Sequence, residues 1–228
     1  MANIRGLVAG SAVTRKTGDG DYIDFRASRA GELFVQDWRQ ALVYEGRAFH
    51  VTVGALTTPI VGGGNGTTPD LDQPEFALSI PDGTAIVPMR VHVQVEVPLL
   101  AADSEVAEII LGADRVTAIG GGTSTAETAF NMRTDNPRTT LCTAASAYTA
   151  NSTAEPVLGI ELARSQRLGD FQGTPANAMW TQLELLYEPL NSPIIMGPAT
   201  LLVYWGGTVA ASGFAQVVWA ELPENAFV

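Results

Sequence analysis

The sequence predicts an all-β protein, an antiparallel β-sandwich or barrel, on three observations. Residues 89–97, MRVHVQVEV, alternate without a break: Met89, Val91, Val93, Val95 and Val97 point one way, and Arg90, His92, Gln94 and Glu96 the other. Strand side chains change face at every residue, whereas a helix would scatter these valines around its circumference. RAFHVTV (47–53) repeats the pattern, with Phe49, Val51 and Val53 inward and Ala48, His50 and Thr52 outward. Finally, 23 Gly and 13 Pro in 228 residues punctuate the chain as often as many short strands require. No segment of comparable length reads as a strong helix.

Residues 1–30 are polar and Gly-rich and read as an extended N-terminal arm, with residues 31–228 forming a single domain. Asp37 and Gln40 have capping-box spacing, which predicts a short helix from Trp38. Phe34, Trp38 and Leu42 would share its face, although Phe34, Gln36 and Trp38 also fit a strand. After the strand at 47–53 comes a long loop of turn residues, 55–74, then the strand EFALSI (75–80) and the turn PDG (81–83). The strand from Thr84 to Val97 follows, with Pro88 marking a bulge or an edge position. SEVAEIILGADRV (104–116) fits a strand pair or a Ser104-capped helix, and its β-branched residues favour strand. GGGTSTAETAF (120–130) is a glycine loop running into one helical turn, because Ser124 and Glu127 repeat the capping spacing.

Further strands are predicted near 138–144, 156–164, 178–188, 198–206 and 213–222. ATLLVYW (199–205) is apolar on both faces, as in a central strand buried on both sides or one whose outer face meets a partner. Eight to ten strands with long connections close most naturally as a jelly roll or a related sandwich, which limits exposed edges.

Composition narrows the functional classes. Net charge is −11, with seven cations and six acids in the first 47 residues and six cations against 18 acids in the rest. An acidic body repels phosphate, so direct sequence-specific nucleic-acid binding is not expected. Charged residues make up only 16%, below the roughly 25% usual for a soluble domain. That fits a surface covered by neighbours, or simply a loop-rich Thr/Ala/Gly surface. The single cysteine, Cys142, excludes an internal disulfide and a cysteine-based zinc site. No stretch reads as a signal peptide, and the apolar run from Pro193 to Trp205 is too short for a membrane span.

Catalytic chemistry finds little footing. His50 and His92 sit on polar strand faces, and with Glu96 they could form a two-His-one-carboxylate set if their strands were neighbours. Solvent or interface histidines are the plainer reading, since metal-ligand spacing is missing. There is no G-x-S-x-G elbow, and the glycine loops VGGGNGT and IGGGTST lack a phosphate-loop ending. Asp19, Asp21 and Asp24 in GDGDYID are spaced for calcium, yet the full twelve-residue loop pattern is absent and a solvated turn suffices. Asp70 and Asp72 are read the same way. Trp180, Trp205 and Trp219 fall in strands, where core or interface packing is a commoner use than stacking on sugar. The expectation is a non-enzyme without a cofactor.

Three stretches carry a resemblance: RAGELFVQDWRQALVYEGRAFHVTVG (29–54), IPDGTAIVPMRVHVQVEV (80–97) and PATLLVYWGGTVAASGFAQVVWAEL (198–222). Together, over about a third of the chain, they resemble bacteriophage virion proteins with a jelly-roll fold, of capsid or decoration type. The resemblance implies a structural protein of the virion, made in the host cytoplasm, which forms homo-oligomers and joins other virion proteins through strand faces, loops and the N-terminal arm. It brings no catalytic residues. Coat proteins packed on a genome often carry a basic arm or inner face, and this acidic body departs from that pattern, favouring an outer-layer role or a shell around DNA whose charge is neutralised by other cations. The anchors expected at such contacts are Trp38, Tyr44, Leu202, Tyr204, Trp205 and Trp219. The alternative is a carbohydrate- or receptor-binding β-sandwich of a fibre or cell surface.

Overall fold

The computed structural model describes residues 37–55, 57–62, 69–99, 105–114, 123–135, 138–148, 159–169, 179–207 and 211–227. The arm at 1–30, with Asp19, Asp21 and Asp24, lies outside them. The elements run α1 (Trp38–Tyr44), β1 (Ala48–Val53), β2 (Ile60–Val61), β3 (Phe76–Ile80), β4 (Thr84–Leu99) and β5 (Glu105–Asp114). Then come β6 (Thr125–Glu127), β7 (Phe130–Asn131), β8 (Thr143–Ser146), β9 (Ile160–Gly169) and β10 (Met179–Tyr187). The chain closes with β11 (Ile195–Met196), β12 (Ala199–Gly207), β13 (Ser212–Pro223) and a 3-10 turn at Glu224–Phe227.

Two antiparallel sheets form a sandwich. The first has the order β10-β4-β13-β1-β7, with β11 added to β4 and β2 to β13; the second has the order β6-β8-β3-β12-β5-β9. The eight longer strands fall into two quartets, β1-β13-β4-β10 and β3-β12-β5-β9, and the chain crosses between sheets at nearly every connection. That strand order is a jelly roll, two Greek keys wound together. The fold class agrees with the sequence reading. The core lies between the sheets, where Phe49, Phe76, Ile86, Leu111, Leu201, Trp205 and Trp219 are wholly buried. Rings of Phe49 and Trp219 pack with centroids 6.1 Å apart.

β4 departs from strict alternation at one residue. Its pairing with β13 shifts between Val218, opposite Arg90, and Trp219, opposite Pro88, leaving Met89 as the extra residue of a bulge. Met89 therefore leaves the inner row of Val91, Val93 and Val95 and packs outside the sheet with Ala48, Val218 and Ala220. The sequence pattern had put Met89 inside with the valines. Pro88 is accommodated because the partner on the other side changes there, from β11 at Ile86 to β10 at Val91.

β12 resolves its own ambiguity. Its inner residues Leu201, Val203 and Trp205 enter the main core, while Leu202 and Tyr204 on the outer face are covered by Ala77, Ile110, Ala145, Tyr148 and Leu71 of the same chain. Residues 105–114 form a strand, as favoured. Residues 125–127 do not form the helical turn expected from Ser124 and Glu127. They pair with β8, since an available strand edge supplies hydrogen bonds without the cost of nucleating a one-turn helix. The helix at Trp38 is present, with Asp37 Oδ1 accepting from the Arg39 N–H at 2.7 Å.

Candidate functional site

The six expected anchors separate into two groups. Leu202, Tyr204, Trp205 and Trp219 are fully buried by their own chain, so in this fold they cannot meet a partner. Their polar atoms are used internally: Tyr204 Oη donates to Leu71 O (3.0 Å), Trp205 Nε1 to Ile60 O (3.3 Å) and Trp219 Nε1 to Glu221 Oε1 (3.2 Å). Large aromatic area closes a sandwich core before it is left for a neighbour. Trp38 and Tyr44 remain outside, 43% and 61% exposed. The side chain of Trp180 lies outside the described set. Described parts of loop 55–74 also lie against their own chain: Ile60–Val61 pairs with β13, and Leu71 covers Tyr204.

Trp38 and Tyr44 belong to α1, which crosses the outer face of the first sheet. Its Leu42 and Val43 rest on Met89 of β4, Val218 and Ala220 of β13 and Ala48 of β1. At one end Arg39 donates to Pro189 O beyond β10; at the other Arg133 Nη1 donates to Tyr44 O at 2.7 Å. Exposed apolar side chains flank both ends: Leu186 (54%) and Leu190 (91%) on the β10 side, Phe130 (59%) and Met132 (40%) on the β7 side. With Trp38 and Tyr44 they leave six large apolar side chains partly exposed around the helix.

Two cations of this band pair with acids, and His92 meets a third carboxylate. Arg90 Nε lies 3.0 Å from Glu188, His92 Nε2 2.6 Å from Glu184 and Arg133 Nε 2.7 Å from Asp135. The Asp135 carboxyl is held below its ordinary range by its hydrogen bond from Arg133, and the Arg133 guanidinium is raised by the same contact.

The structure separates the histidines. His50 stacks against Phe130 with ring centroids 5.8 Å apart, and His92 pairs with Glu184; β13 lies between their strands. Among the described residues no three His, Cys, Asp or Glu side chains converge as a metal site. Further along the same sheet face is an open trough of about 480 Å³, lined by Gln94, Glu96, Gln182, Glu184, Ser212 and Phe214 and walled by Ala55 and Pro59. Sequence reading missed it because its residues converge only through the registers of β10 and β13 on β4.

Two buried acids brace the fold. Glu75 Oε2 accepts from the Trp205 N–H (2.7 Å) at the point where β3 begins. Glu221 accepts from the N–H groups of Leu141 (3.0 Å) and Cys142 (3.4 Å), from the Thr140 hydroxyl and from the Trp219 indole. Burial, reinforced by the Glu221 charge, pushes the Cys142 thiol far above its ordinary range, which makes it inert as a nucleophile. No helix of the described residues is long and apolar enough to cross a membrane. No family model, no curated protein and no solved structure matches this chain.

Proposed function

We propose that this chain is a structural subunit of a bacteriophage particle, a capsid or decoration protein that joins copies of itself and other particle proteins. The observation that carries the reading is the apolar band around α1, from Leu190 and Leu186 past Trp38 and Tyr44 to Phe130 and Met132. Two copies of an acidic protein repel over most of their surface, and they approach at least cost where acids such as Glu188 and Asp135 are already paired with arginines. The jelly roll is a fold of viral coats and of lectins alike, so the fold supports the reading without deciding it.

The test is sedimentation velocity of the whole chain at concentrations up to roughly 100 µM, where a micromolar association would be saturated. The native protein is expected as an oligomer, and Leu186→Asp combined with Leu190→Asp is expected to shift it to monomer with an unchanged circular dichroism spectrum. A native protein that stays monomeric throughout, or variants that assemble as well as the parent, would refute it.

A further inference from the structure

We propose that the trough beyond His92 on the first sheet is a binding site for a neutral carbohydrate. Three adjacent strands build it in two rows. Phe214, Gln94 and Glu184 stand side by side on β13, β4 and β10, and Ser212, Glu96 and Gln182 form the next row. Carboxamide and carboxylate therefore alternate both along and across the strands. One oxygen of each carboxylate is engaged inside the sheet, Glu184 Oε1 with His92 Nε2 (2.6 Å) and Glu96 Oε1 with Gln182 Nε2 (3.4 Å). Among the described residues, Gln94 and Ser212 have no hydrogen-bond partner, so an amide and a hydroxyl stand ready beside the second carboxylate oxygens.

The chemistry of this array selects its ligand. Two carboxylates and no lining cation exclude an anion. A metal cation draws on several carboxylates at once, and among the described residues no three His, Cys, Asp or Glu side chains gather here. Sugar hydroxyls both donate and accept, and neighbouring hydroxyls suit a donor beside an acceptor at strand spacing, about 4.8 Å. Phe214 and Pro59 supply apolar surface for the C–H face of a pyranose ring. The volume, about 480 Å³, falls within the range of roughly 300–1,000 Å³ typical of small-ligand sites. The trough is open along its length, as an oligosaccharide chain requires. This inference does not rest on the assembly role of the α1 band, although the two surfaces adjoin at Glu184, which lines the trough and stands two residues from Leu186 on β10.

The experiment exposes the full chain to a printed array of neutral oligosaccharides of glucose, galactose, mannose and N-acetylhexosamine units, followed by calorimetric titration of any glycan retained. Spermidine serves as the cationic comparison. At least one neutral glycan is expected to bind, with Gln94→Ala and Glu96→Ala each weakening it about tenfold, the loss of one or two hydrogen bonds. Both are surface substitutions whose folding is checked by thermal unfolding, and Phe214→Ala provides an independent probe of the ring contact. Binding of no glycan, binding unchanged in all three variants, or retention of spermidine in place of every glycan would each overturn the proposal.

Discussion

Removing the Glu221 carboxylate is the sharpest test of how this sandwich is held. Glu221 is 1% exposed and gathers four donors, three of them from the segment 140–142, which has no strand partner at that point. In Glu221→Ala the Cys142 N–H keeps the Thr140 hydroxyl at 3.0 Å, and Thr140 itself can turn to water. Trp219 Nε1 cannot, because the whole side chain is buried. An orphaned buried donor costs about 1–3 kcal/mol, and the partly orphaned Leu141 N–H with the vacated side-chain volume adds about 1 kcal/mol more. Relief from burying a charge offsets part of this, so the expected loss is about 3 kcal/mol. Glu221→Gln keeps an acceptor oxygen in the same place and should lose about 1 kcal/mol. Urea unfolding followed by tryptophan fluorescence reads the difference as a midpoint shift of about 1–1.5 M for Ala, given a slope of about 2–3 kcal/mol per molar. The Cys142 thiol should also become accessible to a thiol reagent in Ala and remain protected in Gln. An Ala variant within 1 kcal/mol of the parent, or a Gln variant less stable than Ala, would show that the carboxylate is a bystander.

Two further predictions rest on single contacts. Burial first, then the carboxylates of Glu75, Asp114, Asp72 and Asp70, raise the Tyr204 hydroxyl above its ordinary value of 10.0. Its folded value lies above the unfolded one, so its contribution is whole below pH 10 and is lost as pH rises toward the folded value. Alkaline titration should show Tyr204 contributing no tyrosinate absorbance until the chain unfolds, and Tyr204→Phe should flatten the alkaline limb of stability. Gly213→Ala would place a Cβ 2.4 Å from Gln94 O and 2.5 Å from Val95 Cγ1, whereas at Gly83, with φ +75°, nothing lies within 4 Å. Thermal unfolding should therefore show a loss of about 3 kcal/mol or more at Gly213 and about 1–2 kcal/mol at Gly83. Equal losses at the two sites would show that the β4–β13 contact is looser than its geometry.

What the sequence made legible was whatever depends on neighbours along the chain. Val91, Val93 and Val95 of β4, the Asp37 cap and the Pro-Asp-Gly turn all act within a few residues, and each is where periodicity and turn chemistry put it. Failures occur where a distant strand decides. Met89 alternates faultlessly in sequence, yet the bulge opposite Val218 turns it outward. Ser124 and Glu127 have helix-capping spacing, but β8 captures the segment first. Trp205 and Trp219 were legible as strand residues and illegible as core, because an apolar strand reads the same whether its second face meets its own chain or another. The trough could not be read at all: Gln94, Glu184 and Phe214 are brought together by registers spanning about a hundred residues.

The two outer faces of the sandwich are covered in different ways. On the second sheet, Leu202 and Tyr204 are sealed by Tyr148, Ala145 and the Leu71 segment, so that face is finished within the chain. On the first sheet the cover is α1, seven residues long with none fully buried. A helix of two turns has no stability of its own in water. It is held by Leu42 and Val43 beneath it and by the Arg39 and Arg133 contacts at its ends. Trp38, 43% exposed, carries the Arg39 guanidinium over its ring at 5.5 Å, and Tyr44 is 61% exposed; the proposed assembly would use both as contact surface. The trough rests on firmer ground than the band, since Gln94 and Glu96 lie on β4, paired on both sides by β10 and β13, and Gln182 and Glu184 lie on the edge strand β10, paired to β4 along its whole length.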